Sequence, residues 1–273
     1  MKLPKGRDFT GTGKLLRDLG LRTVCQDAKC PNIFECFSQK VAAFLVLGKN
    51  CTRNCAFCNI SPGRPEPVDA TEPERVAEAV LRLRLRHAVI TSVTRDDLPD
   101  GGAAHFARVI EEIRGHSENT SVEVLIPDFQ GHKKDLKKVL DMRPEVLNHN
   151  LETAPELYPD IRPQADYRQS LNLLKQAKRT APDIKTKSGF MVGLGETDTQ
   201  ISGILHDLAR AECDIVTIGQ YMRPSARHPR VQRYVPPQTF EQYRRVGEAA
   251  GIRHVFAAPL VRSSYNAAAF IDK

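Results

Sequence analysis

Six of the seven cysteines in the chain fall within its first 58 residues, and only Cys213 lies beyond them. They form two triads. Cys51, Cys55 and Cys58, in CTRNCAFCNI, are separated by three and then two residues, with Phe57 just before the last thiol. Cys25, Cys30 and Cys36, in VCQDAKCPNIFECF, have wider gaps of four and five. Thiolates gathered so densely suit zinc or an iron–sulfur cluster. A disulfide framework would spread its bridges through a short secreted chain. Each triad is one thiolate short of a closed four-ligand site, and the first histidine is His87, so no neighbouring imidazole completes either. Two readings stay open: a structural zinc or cluster site, or a cubane with one iron left for a bidentate small molecule. Cys213, in RAECDIVTI, reads as an inert buried thiol.

The elements that must position these thiols repeat in a strand-then-helix order from about residue 41. Apolar runs suited to buried parallel strands occupy 42–47, 87–93, 121–127, 145–152, 185–194 and 214–221. Helical faces are marked by Val76, Val80 and Leu83, by Phe106, Val109, Ile110 and Ile113, and by Ile201, Ile204, Leu205 and Leu208. Further helices are expected at 132–142, 167–179 and 239–250, while LRLRLR (81–86) alternates as a strand would. Six such units imply an α/β fold, a partial (β/α)6 TIM-like barrel with right-handed crossovers. Chemistry in such folds gathers at the carboxyl ends of the strands. The polar segments CTRNCAFC, TRDDLPDGG, PDFQG, NLE, GLGET and YMRPSARHP all fall there. The expected division is an N-terminal extension (1–40) with the first triad, a barrel (41–252), and a C-terminal extension (253–273), the two extensions covering the barrel mouth.

The chain has 273 residues, 41% of them apolar and 27% charged, a globular composition. No apolar run approaches the roughly 20 residues of a membrane span. The opening MKLPKGRDFTGTGK lacks the apolar core of a secretory signal, so a cytoplasmic location without membrane association is expected. A net charge of +7 suits an acidic protein partner, an anionic cofactor or nucleic acid. The basic residues are scattered in pairs and there is no tryptophan, so a nucleic-acid partner is not expected.

A CxxxCxxC triad with an aromatic before its third cysteine, after the first strand of a βα barrel, resembles the radical S-adenosylmethionine (SAM) superfamily. VCQDAKCPNIFECF, CTRNCAFCNI, TRDDLPDGG, NLET, TKSGFMVGLGET, TIGQY and PLVRSSYNA, in that order, further resemble the lipoyl synthase family over essentially the whole chain. The resemblance implies two 4Fe-4S clusters. Cys51, Cys55 and Cys58 would hold the one whose open iron chelates SAM, which is cleaved to methionine and a 5′-deoxyadenosyl radical. Cys25, Cys30 and Cys36 would hold an auxiliary cluster, consumed as the sulfur source, completed by a serine of RSSY; Ser264 is the expected ligand, with Ser263 the alternative. Sulfur would enter carbons 6 and 8 of an octanoyl chain on a lysine of a carrier domain. The carriers implied are 2-oxoacid dehydrogenase acyltransferase subunits and the glycine-cleavage H-protein, and the reductant implied is of ferredoxin or flavodoxin type.

The same resemblance makes Arg95, Asp96, Asp97, Asn150, Glu152, Gly193 and Glu196 candidates for SAM contacts. Arg95 to Asp97 precede a glycine pair that opens a helix, where an anionic group can sit. Asn150 and Glu152 lie on one face of the fourth strand, since residues i and i+2 point alike. Lys187 and Arg162 are candidates to meet substrate or a carboxylate. The family usually has Asp at position 94, glycine at 258 and histidine at 266, where this chain has Thr94, Ala258 and Asn266. Rival readings are a methylthiotransferase acting on tRNA, which usually carries an added RNA-binding domain, and a non-catalytic iron–sulfur or zinc carrier.

Overall fold

The computed structural model describes residues 7–28, 30–38, 43–264 and 267. Lys29, Tyr265 and Asn266 of the cysteine and serine motifs lie outside these, as does Ala42 at the start of the first expected strand. Ten strands and ten α-helices are described. The helices are α1 (Arg7–Asp18), α2 (Val24–Asp27), α3 (Ile33–Ser38), α4 (Glu72–Leu83), α5 (Ala103–His116), α6 (Lys133–Asp141), α7 (Tyr158–Ile161), α8 (Tyr167–Thr180), α9 (Asp198–Arg210) and α10 (Pro237–Ala249). The main sheet holds β1 (Arg22–Thr23), β2 (Ala43–Val46), β5 (His87–Ser92), β6 (Ser121–Leu125), β7 (Val146–Asn148), β8 (Lys185–Val192), β9 (Ile215–Gln220) and β10 (His254–Ala257), in that spatial order. A separate two-residue pair joins β3 (Asn50–Cys51) to β4 (Ser61–Pro62).

All pairings from β2 to β10 are parallel, and only β1 runs antiparallel, beside β2. The order is linear, so the sheet is open: a partial barrel, with α-helices as crossovers. The six expected strands are present. Both extensions also contribute to the sheet, β1 from the first 40 residues and β10 from the last segment. HVFA carries only four residues of β pattern, which is why the seventh parallel strand escaped the periodicity.

The helical faces pack as their spacing dictates. Val76, Val80, Phe106, Val109, Ile110 and Ile113 are buried against β2, β5 and β6, and Ile201, Ile204, Leu205 and Leu208 against β8, β9 and β10. LRLRLR is not one element: α4 ends at Leu83, Arg84 turns left-handed (φ 53°), and β5 starts at His87. Gly102, which caps α5 at φ 90°, has a specific reason: a Cβ there would lie 2.4 Å from Leu47 Cδ1.

Polar residues also enter the sheet interior. Lys187 and Glu123, both fully buried, pair at 3.0 Å toward the amino ends of the strands, with Asn148 donating to Glu123 at 3.0 Å. Lys187 therefore meets a carboxylate of the sheet interior, away from the cysteine loops.

Candidate functional site: two cysteine loops at one cavity

A cavity of about 470 Å³ opens at the carboxyl ends of the strands. Its wall includes Cys51, Cys55 and Cys58 from one loop, Cys25 and Cys30 from the other, and Ser263 and Ser264 from the segment after β10. Cys36 is not in that wall.

The loop after β2 is held at many points. β3 and β4 zip its two ends together, and Gly63 N–H donates to the Cys51 carbonyl at 3.0 Å. Thr52 N–H reaches the Thr94 carbonyl at 3.0 Å and Ala56 N–H the Ile161 carbonyl at 2.9 Å. Arg53 fastens its middle: the guanidinium bonds Asp96 at 2.7 and 2.9 Å and Asp128 at 2.7 and 2.8 Å. Burial alone would raise the Asp128 carboxyl, but the hydrogen bonds and charge of Arg53 bring it down to about 2. Both Arg53 and Asp128 are buried, so the ends of β5 and β6 grip the loop through a desolvated, bidentate cation.

Three backbone N–H groups point at the sulfurs of this loop. Arg53 N–H lies 3.4 Å and Thr94 N–H 3.3 Å from Cys51 Sγ, and Ile60 N–H lies 3.4 Å from Cys58 Sγ. Such donors stabilise thiolate charge and tune a bound cluster. Burial pushes the Cys58 thiol up to about 12 and Cys25 up to about 11, and raises Cys55, so ligation must displace protons. Burial, then the charges of Cys25 and Cys30, push Cys36 up to about 12. Among the described residues no group of His, Cys, Asp or Glu has the geometry of a single-ion site, which a cubane, with its thiolates at separate corners, does not require. The donor set fits iron–sulfur clusters at both triads.

The two loops are also tied to each other and to the serine segment. Asn59 Nδ2 donates to the Asp27 carbonyl at 2.6 Å, linking the residue after Cys58 to the turn between Cys25 and Cys30. Asn32 Nδ2 donates to the Leu260 carbonyl at 2.7 Å. Arg262 lines the cavity near Cys30; burial lowers its pKa, and the thiolate charge of Cys30 opposes that shift.

Asn150, Glu152 and Arg162 also line the cavity. Asn150 Nδ2 donates to Glu152 Oε1 at 3.0 Å, while its Oδ1 is buried without a hydrogen-bond partner. They meet, but not on a regular strand: β7 stops at Asn148, and Glu152 turns left-handed (φ 67°) before a lone bridge to Phe190. Burial raises the Glu152 carboxyl, opposed by the charge of Arg162. Arg162 donates to the Asn150 and Leu151 carbonyls at 3.0 and 3.1 Å, and its charge favours the Cys55 thiolate. His149 also lines the cavity: Nδ1 donates to the Ile126 carbonyl at 2.9 Å, leaving Nε2 to accept from Ser170 at 3.0 Å.

The remaining expected contacts are placed elsewhere. Arg95 is spent on Asp97 (2.9 Å) and the Leu47 carbonyl (3.1 Å), and Asp96 on Arg53. Glu196 accepts from Gly193 and Leu194 N–H at 2.5 and 2.9 Å, closing the turn before α9. None of Arg95, Asp96, Asp97, Gly193 and Glu196 lines the cavity. The charges of Arg95, Asp96, Asp97 and Glu196 and the backbone of Gly193 serve the loops that shape it. Thr94 lines the cavity and acts through its backbone, which explains how the chain keeps these contacts without a carboxylate there. Cys213 is buried, its thiol pushed up to about 12 by desolvation. Arg53 and His149 were not singled out in the sequence; a lone arginine between cysteines carries no pattern until its two carboxylates are seen.

The radical SAM superfamily model matches residues 45–208. The chain is 60% identical to a lipoyl synthase of Oleidesulfovibrio alaskensis over 272 residues, covering 100% of this chain and 93% of that protein. The chain belongs to the lipoyl synthase family. A lipoyl synthase of Nitratidesulfovibrio vulgaris (Hildenborough) is likewise 60% identical, covering 98% of this chain and 89% of its own length. The fold is shared with methylornithine synthase, at 13% identity and a TM-score of 0.52, over 98% of this chain and 88% of that one. As a member of the lipoyl synthase family the chain is a radical SAM sulfurtransferase that uses SAM and 4Fe-4S clusters, one of them auxiliary. No described helix is long and apolar enough to cross a membrane.

Proposed function

We propose that this chain inserts two sulfur atoms, at carbons 6 and 8, into an octanoyl chain carried on a lysine of a lipoyl domain, with a ferredoxin or flavodoxin-type protein as reductant. The observation that carries this reading is the cavity walled by Cys51, Cys55 and Cys58, by Cys25 and Cys30 of the other triad, and by Ser263 and Ser264. When bound, the clusters and SAM supply the electron, the hydrogen-abstracting radical and the sulfur. The protein's share is position and exclusion. Cys51, Cys55 and Cys58 would hold one cluster, oriented by Arg53 and by the N–H groups aimed at their sulfurs. Cys25, Cys30, Cys36 and Ser264 would hold the other. Asn150, Glu152 and Arg162 offer a carbonyl oxygen, a carboxylate and a cation for the amino-acid end of SAM. Val24, Leu45, Val89, Val93, Ile126 and Met191 line the space between, an apolar passage that admits a fatty-acyl chain and keeps water from a reactive centre. The carriers proposed are the 2-oxoacid dehydrogenase acyltransferase domains and the H-protein.

Anaerobic reconstitution with iron and sulfide, then reductant, SAM and an octanoyl-lysine peptide, tests this. The wild type is expected to release 5′-deoxyadenosine and place sulfur on the peptide, and Cys30→Ala to release the nucleoside without sulfur transfer. Absence of deoxyadenosine from the wild type would refute the reading.

A further inference from the structure

The segment after β9 carries charge that the cavity does not use. Between Asp214 and Glu241 the chain has four arginines (Arg223, Arg227, Arg230 and Arg233) and no acidic residue. Two are committed internally: Arg223 to the Ala226 and His228 carbonyls, and Arg233 to Asp198 at 2.8 Å. Arg227 and Arg230 are exposed and, among the described residues, have no ion-pair partner.

This basic segment is not a loose loop. His228 is 5% exposed, and its ring spans from Ser225 Oγ (Nδ1, 2.9 Å) to the Cys58 carbonyl (Nε2, 3.0 Å). A carbonyl can only accept, so Nε2 carries the proton. Tyr221 Oη donates to the Pro229 carbonyl at 3.0 Å, Gln232 N–H to the Gly193 carbonyl at 2.8 Å, and Val231 packs in the cluster of Phe57 and Tyr221. The segment is therefore fixed to the loop that carries Cys55 and Cys58. Its first residues, Tyr221 to Pro224, line the cavity, and Met222 there is 39% exposed.

The geometry points to this segment as the docking surface for an acidic protein domain that presents the octanoyl-lysine. Arg227 and Arg230 meet its carboxylates, and Met222 borders the path of the acyl chain. The inference rests on the function proposed above. Two exposed guanidiniums on a segment whose first residues line an apolar cavity favour a carboxylate-bearing protein whose arm is apolar over a phosphodiester strand. Rigid anchoring to Cys58 gives docking a fixed register to the site of chemistry.

The test is equilibrium binding of a purified, octanoylated lipoyl domain of net negative charge to the full chain at low and moderate salt. The variants are R227E/R230E and, as a control of equal charge change, K175E/R179E toward the far end of α8. Conversion of a free octanoyl-lysine peptide is followed alongside. The expected result is binding weakened about tenfold or more, with a shallower salt dependence, in R227E/R230E alone. Equal binding by both variants, or no binding by the wild type, overturns the docking assignment. Wild type that binds the domain yet makes no deoxyadenosine would instead sink the proposed function and leave the surface standing.

Discussion

Replacing Arg53 by methionine leaves Asp128, only 1% exposed at its side chain, without its cation. A stranded buried charge typically costs about 3–5 kcal/mol, so denaturant unfolding of the apoprotein should show a loss of that order. Arg53→Lys should fall between, because an ammonium cannot span two carboxylates bidentately. His149 gives a pH signature. Burial, helped by the charge of Arg162, lowers its pKa from 6.5 to about 4. The fold thus binds fewer protons than the unfolded chain in this window, and its stabilisation, complete above about 6.5, is lost as pH falls toward 4. The apoprotein's melting temperature should drop across that interval, and His149→Gln should flatten the drop. At the auxiliary triad, Ser264→Ala should lower iron retention more than Ser263→Ala, read as iron per chain after desalting. These roles differ in how legible they were. Cysteine spacing announces itself, whereas Arg53 and His149 matter through partners 75 and 21 residues away, which no local pattern encodes.

Between elements, the Asn59 bond to the Asp27 carbonyl is one neutral hydrogen bond, worth about 1 kcal/mol. Asn59→Ala should therefore change global stability little, yet raise amide exchange over 24–30, as mass spectrometry after deuterium labelling would show. The six main strands and their helices were legible because buried parallel strands read as apolar runs and helices as 3.6-residue stripes. Misreadings fell where the chain leaves regular geometry. β7 stops at Asn148, short of Asn150, and Glu152 adopts φ 67°, backbone choices that alternation cannot reveal. TRDDLPDGG was correctly set at a strand end, but its carboxylates turn toward arginines: charge type was visible, direction was not.

For the molecule as a whole, the decisive contacts join distant parts. Gly219 of β9 faces the segment after β10 so closely that a Cβ would lie 2.2 Å from the Val261 carbonyl oxygen. Gly219→Ala must push that backbone aside, a strain of about 1–3 kcal/mol, and should withdraw Ser263 and Ser264 from the cavity, seen as loss of auxiliary iron with the other cluster retained. The hydrogen bond from Asn32 to the Leu260 carbonyl spans 228 positions. Synthesis runs from amino to carboxyl end, so the serines leave the ribosome only after all ten strands have emerged. With Ser264 as the proposed oxygen ligand, maturation has a built-in order: a nascent chain presents six thiols long before that oxygen exists, and loading of the sacrificial cube finishes only once translation has passed residue 264.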